Sequence, residues 1–232
     1  MNRQPKLFLM AGGETSFKAL MNEQLRLIYD ASGKPEPTVA YIGTASQDNK
    51  AFYFFIKKTL MKAGAGDVLF VRLASEKADL AQAQAQLTSA DIIFLSGGEV
   101  EDGMRWLNYH RLTAFLHELL TQGKVFFGLS AGSIMLGKCW VKWTDPQDDQ
   151  TAELFDCLNF IPEIFDTHAE NEDWIELKTA LRLSGNQAAG YGIGSGAMLT
   201  VDEQGGLQQL YPKLWYFTYE NGVIKQVPFK DH

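Results

Sequence analysis

Val125-Phe126-Phe127-Gly128-Leu129-Ser130-Ala131-Gly132 is the stretch on which fold and chemistry both turn. Its first five residues carry no polar side chain, which reads as a short strand buried on both faces. Residues 128–132 then match Gly-x-Ser-x-Gly, a strand-to-helix turn that holds a serine hydroxyl exposed in a strained conformation. Gly128 and Gly132 let the backbone fold tightly around it, and the helix start beside Ser130 offers a positive dipole end and free N–H groups where an oxyanion forms. A plain small-residue turn into a helix is the blander account of the same pattern. The strand before and the helix after favour a nucleophile.

Similar apolar runs recur upstream at Leu7 to Met10, Thr38 to Ile42, Val68 to Val71 and Ile92 to Leu95. Between them lie helically spaced apolar residues: Leu20, Leu25 and Ile28, then Phe52, Ile56 and Leu60, then Leu80 and Leu87, then Leu112, Phe115 and Leu119. Alternating buried strands and amphipathic helices predict an α/β fold, a doubly wound and mostly parallel sheet with helices on both faces. Beyond Leu136 the pattern changes. Residues 140–143 alternate, 145–153 read as a polar loop, and 174–183 read as a helix. Gly-punctuated runs at 197–201, 207–210, 214–219 and 223–227 predict antiparallel strands toward the C-terminus, with Asn221-Gly222 as a two-residue hairpin turn. No repeat or linker divides the chain, so residues 1–232 are expected to form one domain.

A net charge of −7 gives no electrostatic footprint for polyanions, so nucleic acid is excluded as a partner. No apolar run approaches the roughly 20 residues needed to span a bilayer, which excludes membrane insertion, and the apolar stretch near the N-terminus is too short for a signal peptide. Cys139 and Cys157 supply neither a disulfide framework nor a metal pair, so reduced thiols in a cytoplasmic protein are expected.

A serine hydroxyl needs a base within hydrogen-bond reach. Of the four histidines, His110 and His117 sit at amphipathic positions and read as solvated helix-face residues, while His232 is terminal. His168 follows an apolar stretch and precedes a helix, which suits presentation from a strand end, although loops also tolerate surface histidines. For an orienting acid the chain offers Asp145, Asp148, Asp149, Asp156 and Asp166, and spacing does not choose among them. Upstream, Gly97-Gly98 closes the fourth strand, so the N–H groups of Gly98 and Ala131 are candidates for a shared oxyanion hole. A phosphate-binding reading of that glycine pair is opposed by Glu99 and Glu101.

With these residues in place, the sequence resembles the serine peptidase family of peptidase E and cyanophycinase, whose fold resembles class I glutamine amidotransferases. Residues 125–132 are similar to the family's nucleophile strand and elbow, and residues 155–168 to the stretch leading to its catalytic histidine. The resemblance implies that Ser130 is the nucleophile, His168 the base and Asp145, in Trp143-Thr144-Asp145-Pro146, the orienting acid; Asp148 holds the alternative place. It maps the oxyanion loop onto Gly97-Gly98. Three positions depart from the family's habit: Glu99 where Asn or Asp is usual, Ala169 where Phe is common, and Ser195 where Glu is typical.

The expected function is a serine-type peptidase, a dipeptidase or related amide hydrolase, acting on small peptides with no metal and no cofactor, as a monomer or homodimer. The alternatives are an α/β-hydrolase-like esterase or acyl hydrolase, and a family member without turnover that binds a peptide or metabolite.

Overall fold

Alternate residues of the first strand, β1 (Leu7–Met10), point into different cores: Leu7 and Leu9 join one hydrophobic cluster, Phe8 and Met10 another. A strand so buried on both sides belongs in the middle of a sheet. In the computed structural model, which describes residues 7–12, 17–145, 148–202, 205–211 and 213–228, β1 indeed has neighbours on both edges. On one side run β5 (Val125–Leu129), β4 (Ile92–Leu95), β2 (Thr38–Ile42) and β3 (Asp67–Val71), all parallel. On the other lie β10 (Met198–Val201) and β11 (Leu207–Tyr211), antiparallel. His232 and Pro146 fall outside the described residues.

The two sheet faces are covered by different helices. α1 (Phe17–Ser32) and α2 (Lys50–Ala63) bring Leu25, Ile28, Ile56 and Leu60 to the cluster that holds Phe8 and Phe94. α3 (Leu80–Ser89), α4 (Val100–Tyr109) and α5 (Thr113–Thr121) bring Leu87, Met104 and Leu116 to the opposite cluster. Local chemistry sets the ends: Asn49 and Asp79 accept the Phe52 and Gln82 N–H groups as N-caps, and Gly64, at φ 119°, closes α2.

Behind the nucleophile turn, α6 (Ala131–Leu136) leads to a second layer. There β6 (Cys139–Trp143) and β7 (Ala152–Asp156) form a two-stranded hairpin, and β8 (Ile164–Thr167), β9 (Ala188–Ile193), β12 (Leu214–Glu220) and β13 (Val223–Val227) form a four-stranded sheet around α7 (Ile175–Ser184). Pairing in this sheet is antiparallel except between β8 and β9. Asn221 and Gly222 both adopt positive φ, 51° and 83°, at the β12–β13 turn.

Two details differ from expectation. Part of the stretch read as a polar loop, residues 145–153, is the start of β7, which pairs with the apolar β6 and places Glu153 opposite Lys142. His110 and His117 are not free helix-face residues: His110 is buried with Nε2 2.9 Å from the Leu73 carbonyl, and His117, half-buried, has Nε2 2.6 Å from that of Leu158. Each ring finds a main-chain carbonyl from a distant segment, which an amphipathic pattern does not reveal.

Candidate active site

The turn after β5 is built by its glycines. A Cβ on Gly128 would lie 2.4 Å from the Gly132 backbone, and one on Gly132 would lie 2.0 Å from the Leu95 carbonyl oxygen. Only bare backbone allows strand and helix to close so tightly, and Ser130 takes the strain at φ 53°, ψ −123°. The elbow is bolted to β1: Ser130 N–H donates to Met10 O at 2.9 Å, while Ser133 Oγ both accepts from Met10 N and donates to Met10 O, each at 2.9 Å.

Facing it, His168 stands just past β8. Its backbone has φ 47°, and its N–H donates to the Ile193 carbonyl at 2.8 Å, tying it to β9. The ring reaches across to the elbow, with Nε2 2.7 Å from Ser130 Oγ. This is the distance at which an imidazole takes a proton from a hydroxyl. Glu170 steadies the loop from beyond, its Oε1 accepting the Ser195 N–H at 2.8 Å; although burial opposes it, that bond helps to hold the carboxyl below its ordinary range. Glu170 and Ser195 thus join the histidine loop to the glycine-rich segment.

Gly98 and Ala131 both line the cleft beside Ser130. Gly98 has φ 141° and packs so closely on Ala45 that a Cβ there would lie 2.0 Å from the Ala45 oxygen. Among the described residues, neither its N–H nor that of Ala131 is taken up by a carbonyl outside regular elements.

Asp145 lies on the exposed turn after β6. Its N–H donates to Thr151 Oγ1 at 3.0 Å and its carbonyl accepts from that hydroxyl at 2.9 Å. The structure brings Ser130 and His168 together. Asp148 uses Oδ1 to accept the Gln150 N–H, within the same turn.

The cleft itself has a volume of about 440 Å³. Trp143 and Phe155 of the β6–β7 hairpin form part of its wall, together with acidic residues that no sequence motif assigns to the site, Asp166, Glu172 and Glu176. Asp166 precedes His168 by two residues on β8, a signal open to sequence reading; Glu172 and Glu176 reach the cleft only through the folding of residues 169–176.

The family model for peptidase family S51 matches residues 7–208. Among solved structures, a peptidase from an acI-B1 Actinobacterium superposes with a TM-score of 0.73 at 20% identity, covering 95% of this chain and 93% of that one. A Listeria monocytogenes EGD-e protein described as a putative peptidase E superposes with a TM-score of 0.65 at 19% identity, covering 89% of this chain and 98% of that one. No curated protein matches the sequence.

Proposed function

The chain belongs to peptidase family S51 and is a serine peptidase, and on that premise we propose that it cleaves small peptides with Ser130 as nucleophile and His168 as base. The observation that carries this reading is the 2.7 Å approach of Ser130 Oγ to His168 Nε2 at a strained elbow. Ser130 Oγ attacks the scissile carbonyl as its proton passes to Nε2; the oxyanion is received by the N–H groups of Gly98 and Ala131. The imidazolium then protonates the leaving amine, and water, activated by the same nitrogen, releases the acyl group from Ser130.

Asp145 is proposed as the orienting acid on the resemblance alone. Asp145→Asn tests this. A fall in kcat on the order of 10⁴ supports the assignment, whereas a silent variant leaves Ser130 and His168 acting as a pair.

Among the described residues no helix is long and apolar enough to cross a membrane. Both cysteines are free and buried, which supports the proposal of a reducing, cytoplasmic setting.

The reading as a whole is tested by labelling with a fluorophosphonate probe and by assay against dipeptides and short esters. Wild-type protein should label and hydrolyse dipeptides; Ser130→Ala should do neither, with kcat lower by about three to six orders of magnitude. Turnover retained by Ser130→Ala would remove Ser130 from the mechanism, and ester cleavage without peptide cleavage would reassign the substrate class.

A further inference from the structure

Ser130 and His168 are joined by more than their own contact, because hydrogen bonds close a ring behind them. On the serine side, Ser130 N–H donates to Met10 O at 2.9 Å, and the next residue of that strand end, Ala11, donates its N–H to Ala197 O at 3.3 Å. Gly196 N–H donates to Gly12 O at 2.6 Å, and Gln24 Nε2 donates to Gly196 O at 3.0 Å. Residues 193–197 therefore carry the end of β9 past the end of β1 and into β10. On the histidine side, His168 N–H donates to Ile193 O and Glu170 Oε1 accepts the Ser195 N–H, each at 2.8 Å. The turn that grips β1 also grips the histidine loop.

That loop needs a grip. His168 has φ 47° at one end, and Asp173 and Trp174 have φ 53° and 56° at the other. Side-chain-bearing residues hold left-handed conformations only where their surroundings over-determine them. Trp174 is fixed by burial, its ring 5.1 Å from that of Trp215, whereas His168 is exposed and packing does not hold it. Ala169 O accepts the N–H groups of Glu172 and Trp174, which shapes the loop from within. Glu170 links it to the rest of the ring.

The bond from Glu170 is a charged one. Burial opposes the carboxylate, yet the Ser195 N–H, its own N–H, the Ser195 hydroxyl and the Lys213 ammonium outweigh burial and hold the carboxyl below its ordinary range. An ionised acceptor binds an N–H more strongly than a neutral one. Lys213 belongs to the same frame, since its carbonyl accepts the Gly194 N–H at 2.8 Å.

We infer that Glu170 is a positioning residue for His168, its carboxylate latching the histidine loop to residues 193–197 and so keeping Nε2 on Ser130 Oγ. The inference rests on the peptidase reading of that pair. Glu170 acts through the backbone of the loop.

Glu170→Ala removes the latch, and Glu170→Gln keeps an oxygen acceptor for the Ser195 N–H without the charge. Glu170→Ala should lower kcat and the rate of fluorophosphonate labelling at least about tenfold, with KM within about twofold of wild type, because the base loses its alignment while the cleft walls stay in place. Glu170→Gln should recover most of that loss. Amide hydrogen exchange read by mass spectrometry should quicken at residues 168–174 in Glu170→Ala, with β5 and α6 exchanging as in wild type. The exchange measurement needs no turnover, so failure of the peptidase reading and failure of this inference remain distinct. Exchange at 168–174 unchanged by Glu170→Ala overturns the inference even if the wild-type enzyme is an active peptidase. Faster exchange there with kcat and labelling unchanged overturns it too, as do exchange quickened equally in β5 and α6, which marks a general loss of stability, and a Gln variant that recovers nothing.

Discussion

With Oδ2 unpartnered in the cleft wall, Asp166 has a carboxyl pushed up to about 7 by burial, from an ordinary value of 3.8. The folded protein therefore binds this proton more tightly than the unfolded chain does. The stability so gained is fully present below about pH 4 and is lost as pH rises through about 7, where the buried carboxylate is charged. Asp166→Asn keeps an acceptor for the Thr167 N–H without the charge, so its advantage over wild type should be small near pH 4 and grow by pH 8. Urea midpoints at the two pH values measure this, and an unchanged difference between the proteins would count against the assignment. How far single residues are legible in sequence is clear from the histidines. His168 stands out by elimination among four candidates and does meet Ser130, but His110 and His117 find carbonyls at Leu73 and Leu158, partners remote in the chain. A residue type indicates what a side chain can bond, and only the fold supplies the other half of the bond.

At the scale of elements, the nucleophile turn depends on glycine for space, and that dependence is open to test. Gly132→Ala would place a Cβ 2.0 Å from the Leu95 oxygen, forcing α6 away from β4. The expected result is a loss of about 1–3 kcal/mol or more in stability and at least about 100-fold in kcat, because Ser130 moves with the helix. Gly123→Ala is the control: φ is 87° there but nothing lies within 4 Å, so it should cost about 1 kcal/mol of backbone strain and leave kcat unchanged. Thermal denaturation and dipeptide turnover check both, and equal activity in the two variants would show that the turn has room to adjust. The same physics governs which elements sequence reveals. β1, β2, β4 and β5 are nearly all apolar because both faces are buried, so they stand out as continuous runs. β7 does not, because Ala152–Asp156 carries Glu153 and Asp156 on a half-exposed hairpin and owes its form to pairing with β6. The break between α4 and α5 is equally silent: Arg111 turns the chain at φ 55° with no Gly or Pro nearby to announce it.

Across the whole molecule, the proposed catalytic pair straddles two layers. Ser130 follows β5 of the central sheet, whereas His168 follows β8 of the four-stranded sheet, so the 2.7 Å contact survives only while the layers stay docked. What docks them is a continuous hydrophobic cluster. It runs from Leu9, Leu95 and Phe126 in the central sheet, through Ile134 and Met135 on α6, to Phe165, Trp174, Leu177, Tyr191 and Phe217 in the second layer. Separating the layers would expose these large buried side chains to water, at about 1.5–3 kcal/mol for each fully uncovered aliphatic or aromatic group, so partial unfolding between them is disfavoured. The two layers should accordingly unfold together, as the expectation of one domain requires. Four of the five tryptophans, Trp140, Trp143, Trp174 and Trp215, lie in the second layer, so tryptophan fluorescence reports mainly on that part. Far-UV circular dichroism is dominated by the helices, most of which cover the central sheet. In a urea titration, the fluorescence transition, the dichroism transition and the loss of fluorophosphonate labelling at Ser130 should share one midpoint. A fluorescence change and loss of labelling at lower urea than the dichroism change would instead mean that the layer bearing His168 comes away first, and that the site is held by a weaker interface than the shared cluster implies.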